Sequence, residues 1–152
     1  NVLYVTAITT LALEGRGYNH RIAATAVADA LRRIAPDGRI LVWGNEPGIY
    51  LRADRLPAGR YAYTFPLTTP GYSSETQMAE LVADLAADPP AAIVDAGSPG
   101  PGQPGIVPLM VPRPIESYDG RDLDVAGPLR RFVAERYVLA TEVEGWLIYL
   151  LR

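Results

Sequence analysis

The sequence predicts an α/β protein: a three-layer α/β/α sandwich whose sheet is mostly parallel and ends in a C-terminal antiparallel hairpin. Three observations lead there. Ile40, Leu41, Val42 and Trp43 form an unbroken apolar run closed by Gly44, the pattern of a strand covered on both faces. Short runs of this kind alternate with stretches of helical periodicity, which implies crossover connections and helices on both faces of one sheet. Tyr137 to Val143 and Trp146 to Leu151 read as two strands joined at Glu144-Gly145.

Residues 1–18 are expected to be a juxtamembrane or linker segment and residues 19–152 a single α/β domain. The apolar run Val2 to Leu13 is shorter than the roughly 20 residues that span a bilayer, and it lacks the basic start of a signal peptide. Residues 20–34 put Ile22, Ala26, Val27, Ala30, Leu31 and Ile34 on one helical stripe, with Arg21, Asp29, Arg32 and Arg33 elsewhere. Pro36-Asp37-Gly38 ends this helix in a turn, and the strand at Ile40 follows at once. After Gly44, Asn45 is expected to cap a short helix with Pro47 in its first turn, where a missing N–H costs nothing. Glu46 then lies near the positive end of that helix.

Leu56-Pro57-Ala58-Gly59 should return the chain to a second strand near Tyr61 to Phe65, with Tyr61, Tyr63 and Phe65 on its packed face. A further helix covers about 74–87. Ser74 and Gln77 have capping-box spacing, and Met78, Leu81, Val82 and Leu85 repeat with the helical period. Asp88-Pro89-Pro90 stops it, and Ala91 to Val94 reads as a third buried strand. Gly97 to Gly105 holds four glycines and three prolines in nine residues, which sustains neither ladder nor helix and makes a surface loop. The prolines of the following IVPLMVPRP allow an edge strand at best. Asp124 is expected to cap a last helix to about Arg136, with Val125, Leu129, Phe132 and Val133 on its apolar face.

At 152 residues the chain is long enough to bury one core without staples. Its hydrophobic fraction of 49% fits a folded globular protein. All 14 basic residues are arginine, so no Schiff-base or P-loop lysine is available. A net charge of −3 argues against a nucleic-acid partner, which needs clustered positive charge. Cysteine is absent, and with it any disulfide, thiol nucleophile or cysteine metal site. His20 is the only histidine, leaving no histidine pair for a metal and no relay. Ser73, Ser74, Ser98 and Ser117 fall in caps or loops, and none has a G-x-S-x-G setting. No catalytic residue, metal ligand or cofactor is therefore expected. The glycine-rich loop is also no phosphate cradle, because its prolines remove the backbone donors that such a cradle uses.

Ligands of open α/β sheets sit outside the carboxyl ends of the strands, and the polar residues expected there are Asn45, Glu46, Asp95 and Ser98. Asp95, ending a buried strand, is suited to a sugar hydroxyl, a cation or a ribose, or else to capping the turn through Gly97. Glu46 is equally a ligand group or a helix-dipole partner. Tyr50, Arg52, Arg55 and Arg60, beside Trp43, Tyr61 and Tyr63, suggest an aromatic and guanidinium surface for sugars or lipid phosphate. Strand alternation favours packing for the aromatics.

VWGNEPGIYLRADRLPAGRYAYTFPL at 42–67, DPPAAIVDAG at 88–97 and ERYVLATEVEGWLIYLLR at 135–152 together resemble the soluble C-terminal region of membrane-embedded glycosyltransferases related to protein O-mannosyltransferases, which use polyprenyl-phosphate sugars. The resemblance covers roughly residues 19–152 and is to a domain. The family's catalytic carboxylate lies in an extracytoplasmic loop near its N-terminal membrane spans, to which nothing here corresponds. The resemblance implies an accessory domain on the extracytoplasmic face of the cell membrane. Its partners would be the membrane-embedded portion of the same polypeptide and an acceptor or sugar. The competing readings are a free-standing flavodoxin-like module binding a small polar ligand at Asn45, Glu46 and Asp95, and a structural interaction domain.

Overall fold

A computed structural model describes residues 16–69, 71–97, 108–112, 115–116 and 120–152. The chain is mixed α/β. Its elements are α1 (Arg16–Ile34), β1 (Ile40–Trp43), α2 (Gly48–Ala53), α3 (Phe65–Thr68), α4 (Glu75–Ala87), β2 (Ala92–Asp95), β3 (Ile115–Glu116), β4 (Asp122–Leu123), α5 (Gly127–Arg136), β5 (Tyr137–Val143) and β6 (Trp146–Leu151). Residues 16–18 lie within α1. Residues 1–15, and all of the expected glycine-rich loop except Gly97, fall outside the described residues.

Four strands form one sheet in the order β1-β2-β6-β5, and β3 and β4 make a separate antiparallel pair. β1 and β2 are parallel, with Ile40 opposite Ala92 and Trp43 opposite Asp95. β2–β6 and β6–β5 are antiparallel. The sheet is thus mostly antiparallel, contrary to the sequence expectation, for two reasons. Residues 61–64 are loop and Phe65 opens α3, so the expected second strand is missing. The hairpin also inserts β6 directly beside β2, leaving β1–β2 as the one parallel pair.

Every residue of β1 and β2 is buried. Because side chains alternate along a strand, the two strands line two hydrophobic clusters. Ile40, Val42, Ala92, Val94, Trp146 and Ile148 pack with Ala23, Ala24, Val27, Ala28 and Leu31 of α1 and with Ile49, Tyr50 and Ala53 of α2. Leu41, Trp43, Ile93 and Tyr149 pack with Leu67 of α3, Met78, Leu81 and Leu85 of α4, and Leu129, Phe132 and Val133 of α5. Each fully buried Leu, Ile or Val contributes roughly 1.5–3 kcal/mol.

The helices follow their sequence signals with local corrections. In α4 the Ser74 hydroxyl accepts from Gln77 N at 3.2 Å, as the capping spacing requires. In α1 the buried stripe is displaced toward Ala23, Ala24 and Ala28, leaving Ile22 and Ile34 exposed; alanines let a helix lie close to its neighbour, and the bulkier isoleucines fall at the rim. Asn45 does not cap α2: its N-cap is Pro47, without a side-chain bond. Asp124 does not cap α5, whose N-cap is Ala126; its carboxylate instead pairs with Arg130. Residues 108–112 form a turn closed by Val111 N donating to Pro108 O at 2.9 Å rather than a strand. The hairpin is as expected, with Glu144 and Gly145 both at positive φ, 52° and 82°.

Candidate functional site

The carboxyl ends of the parallel pair β1–β2 are where a ligand of this architecture is expected. Here they are drawn shut by the chain itself. Ala96 N donates to Trp43 O at 2.7 Å, and Gly44 leaves β1 at φ 137°. A Cβ at Gly44 would lie 3.1 Å from Ala96, so only glycine fits both the angle and the approach. The fully buried Thr64 closes over this turn: its hydroxyl accepts from Gly44 N at 2.9 Å and donates to Gly44 O at 3.1 Å.

Asp95, 2% exposed, ends β2 beside this turn. Its Oδ1 accepts from Gly97 N at 3.1 Å, the turn-capping bond that its sequence position suggests. Its Oδ2 accepts from Leu109 N at 2.8 Å, a contact from 14 residues away. Burial pushes its carboxyl up to about 6, against the two backbone donors that favour the charged form. Leu109 is held in turn by Arg130, which donates to Leu109 O at 2.9 Å and pairs with Asp124. The carboxylate thus clasps both ends of the segment that joins β2 to the turn at 108–112.

The remaining candidate residues are not gathered around one crevice. Asn45 is exposed, and Glu46 is half-buried with its carbonyl accepting from Ile49 N. Tyr50 is buried: its hydroxyl accepts from Val42 N at 2.9 Å, and burial pushes the phenol up to about 12. Arg52 donates to Gly48 O at 3.1 Å within α2. Arg55 reaches Ala35 O, at the end of α1. Arg60 crosses to α4, gripping Asp84 through Nε and Nη2 at 2.9 and 3.0 Å and Glu80 at 3.1 Å. Its guanidinium holds the Asp84 carboxyl below the usual range. Ser98 lies outside the described residues.

The aromatic expectation is overturned at its outer positions. Tyr63 and Phe65 are 45% and 51% exposed, because the segment runs as loop into α3 and has no packed strand face. Tyr72 is exposed as well, in the turn after α3 where its N–H donates to Thr69 O. Thr64 anchors this aromatic segment to the end of β1. Sequence reasoning missed Thr64 as the anchor and Leu109 as the partner of Asp95. For the first there was a signal, since Pro66 just after Phe65 marks a helix start. Among the described residues there is no cluster of three metal-ligating side chains, and no helix is long and apolar enough to cross a membrane. No family model matches the chain, and neither a curated protein nor a solved structure matches it.

Proposed function

We propose that this chain is the extracytoplasmic C-terminal domain of a membrane glycosyltransferase that uses a polyprenyl-phosphate sugar, and that it is accessory to transfer, positioning an acceptor or contacting a partner. One observation carries the reading: the three segments that resemble that family meet in a single sheet. β1 lies in or beside the first, β2 in the second, and β5 and β6 in the third. Their order and spacing therefore describe one packed unit. The finer architecture belongs to the same proposal. The sheet is the middle of a three-layer α/β/α sandwich, supported by one cluster joining β1 and β2 to α1 and α2 and a second joining them to α3, α4 and α5.

An accessory role also accords with the use of the polar side chains, since Tyr50, Arg52, Arg55, Arg60 and Asp95 all bond the fold itself. The surface offered to an acceptor is then the exposed Tyr63, Phe65 and Tyr72, whose rings suit sugar faces or an interface. Two measurements test this. The purified chain, incubated with a polyprenyl-phosphate sugar and acceptor peptides or lipids, should transfer nothing; turnover by the chain alone overturns the accessory reading. In the intact parent enzyme, Phe65→Ser with Tyr72→Ser should lower transfer several-fold while leaving the fold unchanged. Undiminished transfer removes the positioning role.

A further inference from the structure

The turn at 108–112 is held to the fold at Leu109. The Leu109 N–H donates to Asp95 Oδ2 at 2.8 Å, and the Leu109 carbonyl accepts from Arg130 at 2.9 Å. A longer bond joins Arg130 to Val111 O at 3.4 Å, and the Leu109 side chain is buried in the cluster beneath α4 and α5. The other bond of Asp95 reaches only Gly97, two residues along, so Leu109 is what ties the carboxylate to a distant segment. Asp95 shares a face of β2 with Ile93, toward α3, α4 and α5. Trp43, opposite it on β1, and Leu67, Met78 and Leu81 of α3 and α4 bring no charge. β6 brings the Tyr149 phenol, pushed up by burial and then by the charge of Asp95. On α5, Arg130 is taken by the turn and by Asp124. On α4, Glu75 faces Arg121, and Glu80 and Asp84 are held by Arg60. A carboxyl group 2% exposed thus has two backbone donors and, among the described residues, no bonded cation.

We propose that the turn at 108–112 is a latch over Asp95, released as that carboxyl group ionises. Burial without a cation disfavours the charged form, and moving Leu109 aside is the smallest change that admits water, because Gly97 travels with Asp95. The group stands at about 6 with the latch closed and returns toward its ordinary 3.8 once water reaches it. The closed form therefore binds the proton more tightly. It is fully favoured below about pH 4 and loses ground as the pH rises through about 6. The bonds of Arg130 and the buried Leu109 side chain oppose release, so the latch opens in a fraction of the molecules. What it uncovers is the carboxyl end of the β1–β2 pair, the place where a ligand of this architecture is expected. The latch is independent of any role in sugar transfer.

Hydrogen exchange of the full 152-residue chain, read amide by amide by NMR and corrected for the intrinsic effect of pH, tests the latch. The Leu109 amide should open more often than that of Val94, inside β2. Its opening should grow roughly fiftyfold between about pH 4 and about pH 8. In Asp95→Asn, which cannot ionise, that growth should vanish. A second measurement needs no variant: in the unaltered chain the carboxyl carbon of Asp95 should titrate with a midpoint of about 6. A Leu109 amide that exchanges no faster than that of Val94 overturns the proposal, because only global unfolding would then free the turn. So does an opening that is flat or falls as the pH rises, a pH response unchanged in Asp95→Asn, or an Asp95 carbon that titrates like a surface carboxylate.

Discussion

Asp95 keeps an ionisable group out of water between two backbone donors, and the sign of its effect on stability follows. Its folded value of about 6 stands above the ordinary 3.8, so the native state binds the proton more tightly than the unfolded chain does. The resulting stability is fully present below about pH 4 and is lost as the pH rises through about 6, amounting to roughly 3 kcal/mol. Urea denaturation of the parent and of Asp95→Asn across this window isolates the effect, because the other carboxylates are common to both. The difference between the two proteins should shrink as the pH rises; a constant difference would mean that Asp95 ionises like a surface carboxylate. Tyr50→Phe poses a simpler case. It strips the acceptor from a buried Val42 N–H and should cost roughly 1–3 kcal/mol in the same assay. Trp43→Ala, at a site 2% exposed, should cost roughly 3–5 kcal/mol.

Among the elements, the hairpin offers the most direct manipulation. Glu144 occupies a left-handed position that asparagine adopts more readily, so Glu144→Asn should raise the melting temperature by a few degrees. A fall would show that the glutamate side chain has a role the turn geometry does not explain. The hairpin, β1, β2 and α4 were legible in the sequence because their signals are local: a turn dipeptide, an unbroken apolar run, a cap and a helical period. The segment Tyr61 to Phe65 misled because alternating aromatics mimic a strand. Its course is decided by the bond of Thr64 to Gly44, 20 residues earlier, and by Pro66, which starts α3. The direction of the sheet was hidden for a related reason, since no local pattern says that β6 pairs with β2. At the candidate site, the turn-capping role of Asp95 was readable from Gly97 two residues on. The bonds to Leu109, and from Arg60 to Asp84, join segments that only folding brings together.

For the molecule as a whole, the outer edge of β1, bonded along its length by Leu56, Ala58, Tyr50 and Thr64, should behave as interior. In hydrogen exchange at dilution, the amides of Val42 and Gly44 should be protected to nearly the same degree as those of β2, although β1 borders the sheet. The outward amides of β5, to which no described residue is bonded, should exchange far faster, and equal rates at the two edges would show that these bonds give β1 no added protection. The alternation of side chains along the strands has a spectroscopic consequence. Trp43 belongs to one hydrophobic cluster and Trp146 to the other, and the chain has no further tryptophan, so each face of the sheet carries its own fluorophore. In Trp146→Phe the remaining emission reports only the face beneath α4 and α5; in Trp43→Phe it reports only the face beneath α1 and α2. Since both faces are built on the same strands, the two signals should fade at one denaturant concentration once each variant's own change in stability is allowed for. Two separate midpoints, recorded against a common circular dichroism curve, would reveal halves that melt in turn.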